Sequence, residues 1–264
     1  MSKHTRNFNK QIKQSWRNFD QNEKKADRLR IKHQWRALPR RFRPMQFSSD
    51  YLHRWNIHEE VANSITHGLG VLLGIAALVL LIIDAVEYGS VYGIVGGAIL
   101  GVSLIIAYVS STLYHAVLYP PLKQVFKILD HSSIFILIAG SYTPFCLVTL
   151  HGAMGWTIFG IVWGLAIIGI TLKIFFVDDF ELLSTIVYLL MGWIAVIAIV
   201  QLLHHLPLGG IVWLVIGGLC YTFGVLFFVF ERVPFFHTIW HLFVLAGSIS
   251  HFFAVLFYVV PLPV

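Results

Sequence analysis

The chain has 264 residues, 57% hydrophobic and only 12% charged, where a soluble domain carries roughly 25% charged residues. That deficit excludes an ordinary soluble domain and points to a polytopic membrane protein. The formal net charge of +6 is unevenly spread: of 19 Lys and Arg, 15 lie between Lys3 and Arg54, and only Lys123, Lys127, Lys173 and Arg232 follow.

Residues 1–55 read as a basic N-terminal tail on the cytoplasmic side. Within it Phe8, Ile12, Trp16 and Phe19 recur at helical spacing, with Lys10, Lys13 and Arg17 between them. That pattern suits an amphipathic helix lying on an anionic inner leaflet. A solvated basic arm fits the same composition. A nucleic-acid partner is not expected, because the tail is tethered beside a membrane and no recognised nucleic-acid module is visible. No short apolar core with a small-residue cleavage site precedes the first span, so that span is expected to act as the insertion signal.

From residue 56 to 264, runs of the roughly 20 apolar residues that a helix needs to cross a bilayer recur. Seven are predicted: 61–84, 92–118, 125–150, 156–177, 182–203, 210–230 and 236–260. None alternates in polarity as a barrel strand does, and in lipid a helix satisfies its own backbone. The predicted fold is all-α, a seven-transmembrane-helix bundle in the plasma membrane. Basic residues set its orientation. With the N-terminus in the cytoplasm, the internal connections 119–124, 178–181 and 231–235 and their flanks hold Lys123, Lys127, Lys173 and Arg232. The external connections 85–91, 151–155 and 204–209, and the C-terminal PLPV, hold no Lys or Arg. The C-terminus is therefore expected outside. Cys146 and Cys220 both fall in apolar runs, with no disulfide framework or Cys-based metal motif between them.

Ionisable groups inside spans are costly and usually functional. The first span opens with HEEVANSITHG, where Glu60, Asn63 and His67 share a face. The second closes on SSTLYH, where Ser111 and His115 stand four apart. The third opens with LDHSSIF, giving Asp130 and His131, and Pro144 is expected to kink it. The seventh opens with His237 and His241, four apart, and carries Ser248 and His251 further along. Odd spans run outward and even spans inward, so Glu60, Asn63, His67, His115, Asp130, His237 and His241 collect at one depth near the cytoplasmic face.

Three imidazoles with an open fourth position suit a catalytic zinc ion. His115, His237 and His241 are the expected ligands. Asp130 is the expected general base or holder of the water, and Ser111, one turn from His115, the expected orienting hydroxyl. Glu60, Asn63 and His67 are expected to support the site from behind as a hydrogen-bond cluster. Each piece alone has a plainer origin: an Asp at the start of a span caps a helix, a Ser bonds its own backbone, and His with Asp also build proton relays. His151, His204 and His205 are expected in outer connections. His251 lies about 15 Å beyond His241 along a helix, too far for a shared ion.

Together these stretches resemble the hemolysin III branch of the progestin and adipoQ receptor (PAQR) family. The resemblance runs over about 57–260, through HEEVANSITHG, SSTLYH, LDHSSIFILIAGSYTPF, MGW at 191–193 and HTIWHLFVLAGSISHF. It implies a seven-helix bundle with zinc near the cytoplasmic face, His115, His237 and His241 as ligands, and Ser111 and Asp130 associated with the water. The long basic tail is not part of the bacterial pattern. Relatives of the family include receptors resembling adiponectin receptors and, more distantly, alkaline ceramidases, and the hemolysin name implies lysis. Three readings follow: a zinc-dependent hydrolase of a lipid amide or ester linked to membrane lipid homeostasis, a non-enzymatic sensor of membrane lipids with structural zinc, and a pore-forming cytolytic protein.

Overall fold

The computed structural model describes residues 57–88 and 90–262, so the basic tail and its Phe8–Phe19 pattern lie outside the described residues. Among the described residues there is no strand, and seven helical spans are long and apolar enough to cross a membrane. Six are single helices: α1 (Ile57–Glu87), α2 (Val91–Ala116), α3 (Pro120–Pro144), α4 (Gly152–Phe176), α7 (Leu208–Val229) and α8 (Phe236–Tyr258). The fifth is broken into α5 (Glu181–Gly192) and α6 (Ile199–His205), joined by a 3₁₀ stretch, Ile194–Ala198. The chain is a multi-pass integral membrane protein.

Local chemistry sets the helix ends. Ser90 Oγ accepts from the Gly93 N–H at 2.9 Å and caps α2. Pro120 and Pro121 fill the first turn of α3, where an N–H has no helical partner to lose. This start lies five residues before the expected one and draws Lys123 into the helix. Pro144 cannot donate back to the preceding turn. The chain answers with one widened π-type turn, Phe145–Thr149, rather than a sharp kink.

α3 is the centre of the bundle: 83% of its apolar window is buried, against 17% for the fifth span and 17% for α7. α2 packs between α1 and α3, α8 against α1 and α7, and α4 against α3. Small residues permit the closest approaches. A Cβ on Gly101 would lie 2.7 Å from Leu78 Cα, and one on Gly96 2.8 Å from Pro144 Cα. The outer faces carry exposed Ile65, Leu72, Ile167, Leu190 and Ile197, as a lipid-facing surface requires.

The break in the fifth span is closed by one side chain. Tyr142 Oη of α3 donates to the Gly192 carbonyl at 2.6 Å and accepts from the Ala195 N–H at 2.8 Å. Trp193 Nε1 donates to Thr222 Oγ1 of α7 at 3.1 Å. Backbone groups freed in hydrocarbon need such partners.

Candidate metal centre

The starts of α1, α3 and α8 and the end of α2 meet at one end of the bundle. There His115, His237 and His241 bring one ligand atom each within 4.8 Å of one another, a group able to hold a metal ion. Their rings form a near-regular triangle, with centroids 5.1 Å apart for His115–His237, 5.0 Å for His115–His241 and 4.7 Å for His237–His241.

Each ring is oriented through its Nδ1. His115 Nδ1–H donates to Glu60 Oε2 at 2.9 Å, and His237 Nδ1–H to Glu231 Oε2 at 3.1 Å. His241 Nδ1–H donates to the Asn63 carbonyl at 3.2 Å, with Thr66 Oγ1 also 3.2 Å away. The Thr66 hydroxyl donates to the Ala62 and Asn63 carbonyls, both at 2.9 Å, so towards His241 its oxygen accepts. With every Nδ1 engaged, Nε2 is left for the common centre. His115 Nε2 is buried without a hydrogen-bond partner among the described residues. Acceptors that fix the tautomer and leave Nε2 free are what metal-binding histidines carry. The donor set therefore fits a divalent ion that takes imidazole.

Asp130 on α3 is only 15% exposed at its side chain and stands next to Ser111, with His237 and Lys123 close by. Ser111 Oγ is buried without a hydrogen-bond partner among the described residues. His131 Nδ1–H donates to the Lys127 carbonyl at 3.0 Å and lies 3.8 Å from Asp130 Oδ2, outside the triangle. Asn63 works twice: its backbone carbonyl receives His241, and its side-chain oxygen accepts from Thr238 Oγ1. His67 stacks on His241 with centroids 3.6 Å apart and meets the edge of Tyr108 at 5.1 Å. His251 donates through Nε2 to the Leu214 carbonyl at 3.3 Å, away from the triangle. His151 and the α6 residues His204 and His205 also lie apart from it.

A family model described as Haemolysin-III related matches residues 55–252. The chain belongs to the haemolysin-III-related family. It is 52% identical over 209 residues to a Hemolysin-3 homolog of Bacillus subtilis (strain 168), covering 79% of this chain and 98% of that protein. It is 50% identical over 205 residues to Hemolysin-3 of Bacillus cereus, covering 78% and 94%. A more distant relative is the human Monocyte to macrophage differentiation factor, 27% identical over 207 residues that cover 75% and 83%.

In this haemolysin-III-related chain two charged groups of the centre escape a reading of the sequence. Lys123 sits in a stretch expected to be a connection, yet it is buried and its Nζ donates to Glu60 Oε2 at 3.1 Å. Its position seven residues before Asp130, two helical turns on one face, is the signal that marks it. Glu231 lies in the connection before α8, next to Arg232, and only the fold brings it to His237. The hydrogen bond from His237 holds the Glu231 carboxyl below its ordinary range, against the opposing effect of burial.

Proposed function

We propose that the protein is a zinc-dependent hydrolase of a lipid amide or ester, with its N-terminus and metal centre on the cytoplasmic side and its C-terminus outside. One observation carries the reading: three imidazoles are oriented so that Nε2 is left for one point, and beside them stand the buried Ser111 hydroxyl and, next to it, the Asp130 carboxyl. A zinc ion held by His115, His237 and His241 would supply Lewis acidity to a carbonyl and lower the pKa of the attacking water. Asp130 accepts the proton of that water and returns it to the leaving amine or alcohol. Ser111 Oγ–H donates to the oxygen on which negative charge develops.

A cavity of about 110 Å³ between α3, α5, α7 and α8 supports a lipid substrate. Ile138, Tyr188, Val225, Phe228 and Trp240 are among its lining residues, and Phe228 also packs against His237 at 6.1 Å. An apolar pocket one aromatic ring away from a polar centre suits a molecule with an oily tail and one reactive carbonyl.

Metal analysis of the purified protein tests the first half of the reading. Zinc should be present in the wild type and fall to background in His237→Ala and His241→Ala; a metal-free wild type would refute it. Turnover of a panel of lipid amides and esters tests the second half. Asp130→Ala should keep zinc and lose hydrolysis, and retained hydrolysis would remove Asp130 as the base. Labelling of single cysteines placed at each terminus, from either side of sealed vesicles, checks the orientation.

The names of the two Bacillus relatives favour a lytic reading as the second one. It predicts conductance when the purified protein is placed in liposomes. Two contacts deeper in the bundle argue against an open path there, because they close on the bundle itself: Tyr221 Oη with Ser248 Oγ at 2.9 Å, and His251 Nε2 with the Leu214 carbonyl at 3.3 Å. A purely structural zinc with a sensor role calls for a fourth protein ligand, whereas three residues form the group among the described residues.

A further inference from the structure

Behind His115, one step further from the centre than Asp130 and Ser111, lies a buried ion pair. Lys123 Nζ donates to Glu60 Oε2 at 3.1 Å and to the Tyr114 carbonyl at 2.8 Å, with the Tyr114 ring centroid 4.6 Å away. The same Glu60 oxygen accepts from His115 Nδ1 at 2.9 Å. Lys123, Glu60 and His115 are all buried. The three groups come from α3, α1 and α2, so the row ties together the helices that carry Asp130 and a metal ligand.

A buried ion pair is a poor device for stability, since taking two charges out of water costs about what their attraction returns. Its value lies in fixing an arrangement. Among the described residues Lys123 is the lysine or arginine paired with this carboxylate. With the ammonium on one side, Glu60 is a fixed acceptor that selects the Nδ1–H tautomer of His115 and turns the Nε2 lone pair to the centre. A metal ion needs that tautomer and that orientation.

We infer that Lys123 is a positioning residue of the metal centre: through Glu60 it sets the tautomer and aim of His115. The inference rests on the three-histidine site of the proposed function. It assigns a role to Lys123 that a loop lysine or a leaflet-anchoring lysine would not have.

The test uses the full chain in nanodiscs: wild type, Lys123→Met, Glu60→Gln and the double variant, with zinc affinity measured by chelator competition. Lys123→Met should weaken zinc binding about 10- to 100-fold, the range for partners that orient a ligand. Glu60→Gln should weaken it by a similar factor. The double variant should bind no more weakly than the worse single one, because lysine acts only through glutamate. Unchanged affinity in Lys123→Met, or losses that multiply in the double variant, would overturn the inference.

Where Lys123→Met alone does not fold, Glu60→Gln and the double variant decide. Glu60→Gln already removes the carboxylate through which Lys123 acts on His115, so adding Lys123→Met should leave its zinc affinity unchanged. A further loss of affinity would overturn the inference. A second readout separates this inference from the reading it rests on. The imidazole nitrogen signals of His115, assigned by their loss in His115→Ala, should report a single Nδ1–H tautomer in metal-free wild type and a mixture in Lys123→Met or in the double variant. Identical signals would refute the role of Lys123 whether or not the wild type binds zinc, while a wild type without zinc refutes only the proposed function.

Discussion

His115 and His237 face one centre, yet their supports belong to two different environments. Glu60, which holds His115, is 5% exposed at its side chain and is itself held by Lys123; Glu231, which holds His237, is 45% exposed and comes from the connection before α8. Hydrogen bonds in a low-dielectric interior are strong and costly to leave unmade, whereas water can replace one at the rim. The centre is therefore stiff around His115 and more compliant around His237, at the first turn of α8. The compliant side also begins with Phe235 at φ 63, a left-handed conformation that a bulky residue rarely adopts. That turn sets the direction in which α8 leaves and so where His237 and His241 stand.

The largest expected effect would abolish the contrast. His115→Ala and His237→Ala should each reduce bound zinc to background by metal analysis, because three ligands act as one site. If His237→Ala kept a bound ion, the rim histidine would not be a ligand at all. Next in size is a change far from the centre. Tyr142→Phe removes the hydroxyl that serves Gly192 and Ala195, and should destabilise the protein by about 1–3 kcal/mol, the cost of leaving polar groups without a partner away from water. Its zinc content should not move; a loss of zinc would show that the fifth span helps to shape the centre.

Glu231→Gln probes the compliant support directly. It should weaken zinc binding by no more than about threefold, the size of a largely exposed charge interaction. An effect as large as that of Glu60→Gln would erase the difference between interior and rim. The smallest effect concerns Asp178. Burial alone would raise its carboxyl, but the hydrogen bond from Lys127 at 2.9 Å and a second from Gln124 leave it below its ordinary range. A depressed carboxylate contributes stability above its unfolded pKa and loses it as pH falls through the folded one. Melting temperatures of wild type and Asp178→Asn should therefore differ slightly at neutral pH and converge in acid, by about 0.5 kcal/mol or less for so exposed a pair.

The seven spans were legible because crossing a bilayer demands long apolar runs, and hydropathy measures that demand. Ser111, His115, Asp130, His237 and His241 stood out for the complementary reason: polar groups in oil are conspicuous. Lys123 was hidden by a rule that usually works, since a lysine at the edge of an apolar run is normally at the surface. Only packing of the α3 start against α1 and α2 shows that it points inward. Glu231 was hidden because it lies in the connection six positions before His237, and a turn through Phe235 closes that distance. The break at Gly192 and Trp193 left no trace because both belong to MGW inside an apolar run, and the partner that closes the gap, Tyr142, lies fifty residues away.

The Tyr142 hydroxyl gives the fifth span a joint that a continuous helix lacks. It is donor to one peptide group and acceptor from another across the gap, beside the cavity that Tyr142 and Trp193 help to line. Backbone that would otherwise face lipid bare at the break is sealed by a side chain of the central helix. A wall of the cavity is thereby made of interrupted helix, at no cost in unpaired peptide groups at Gly192 and Ala195.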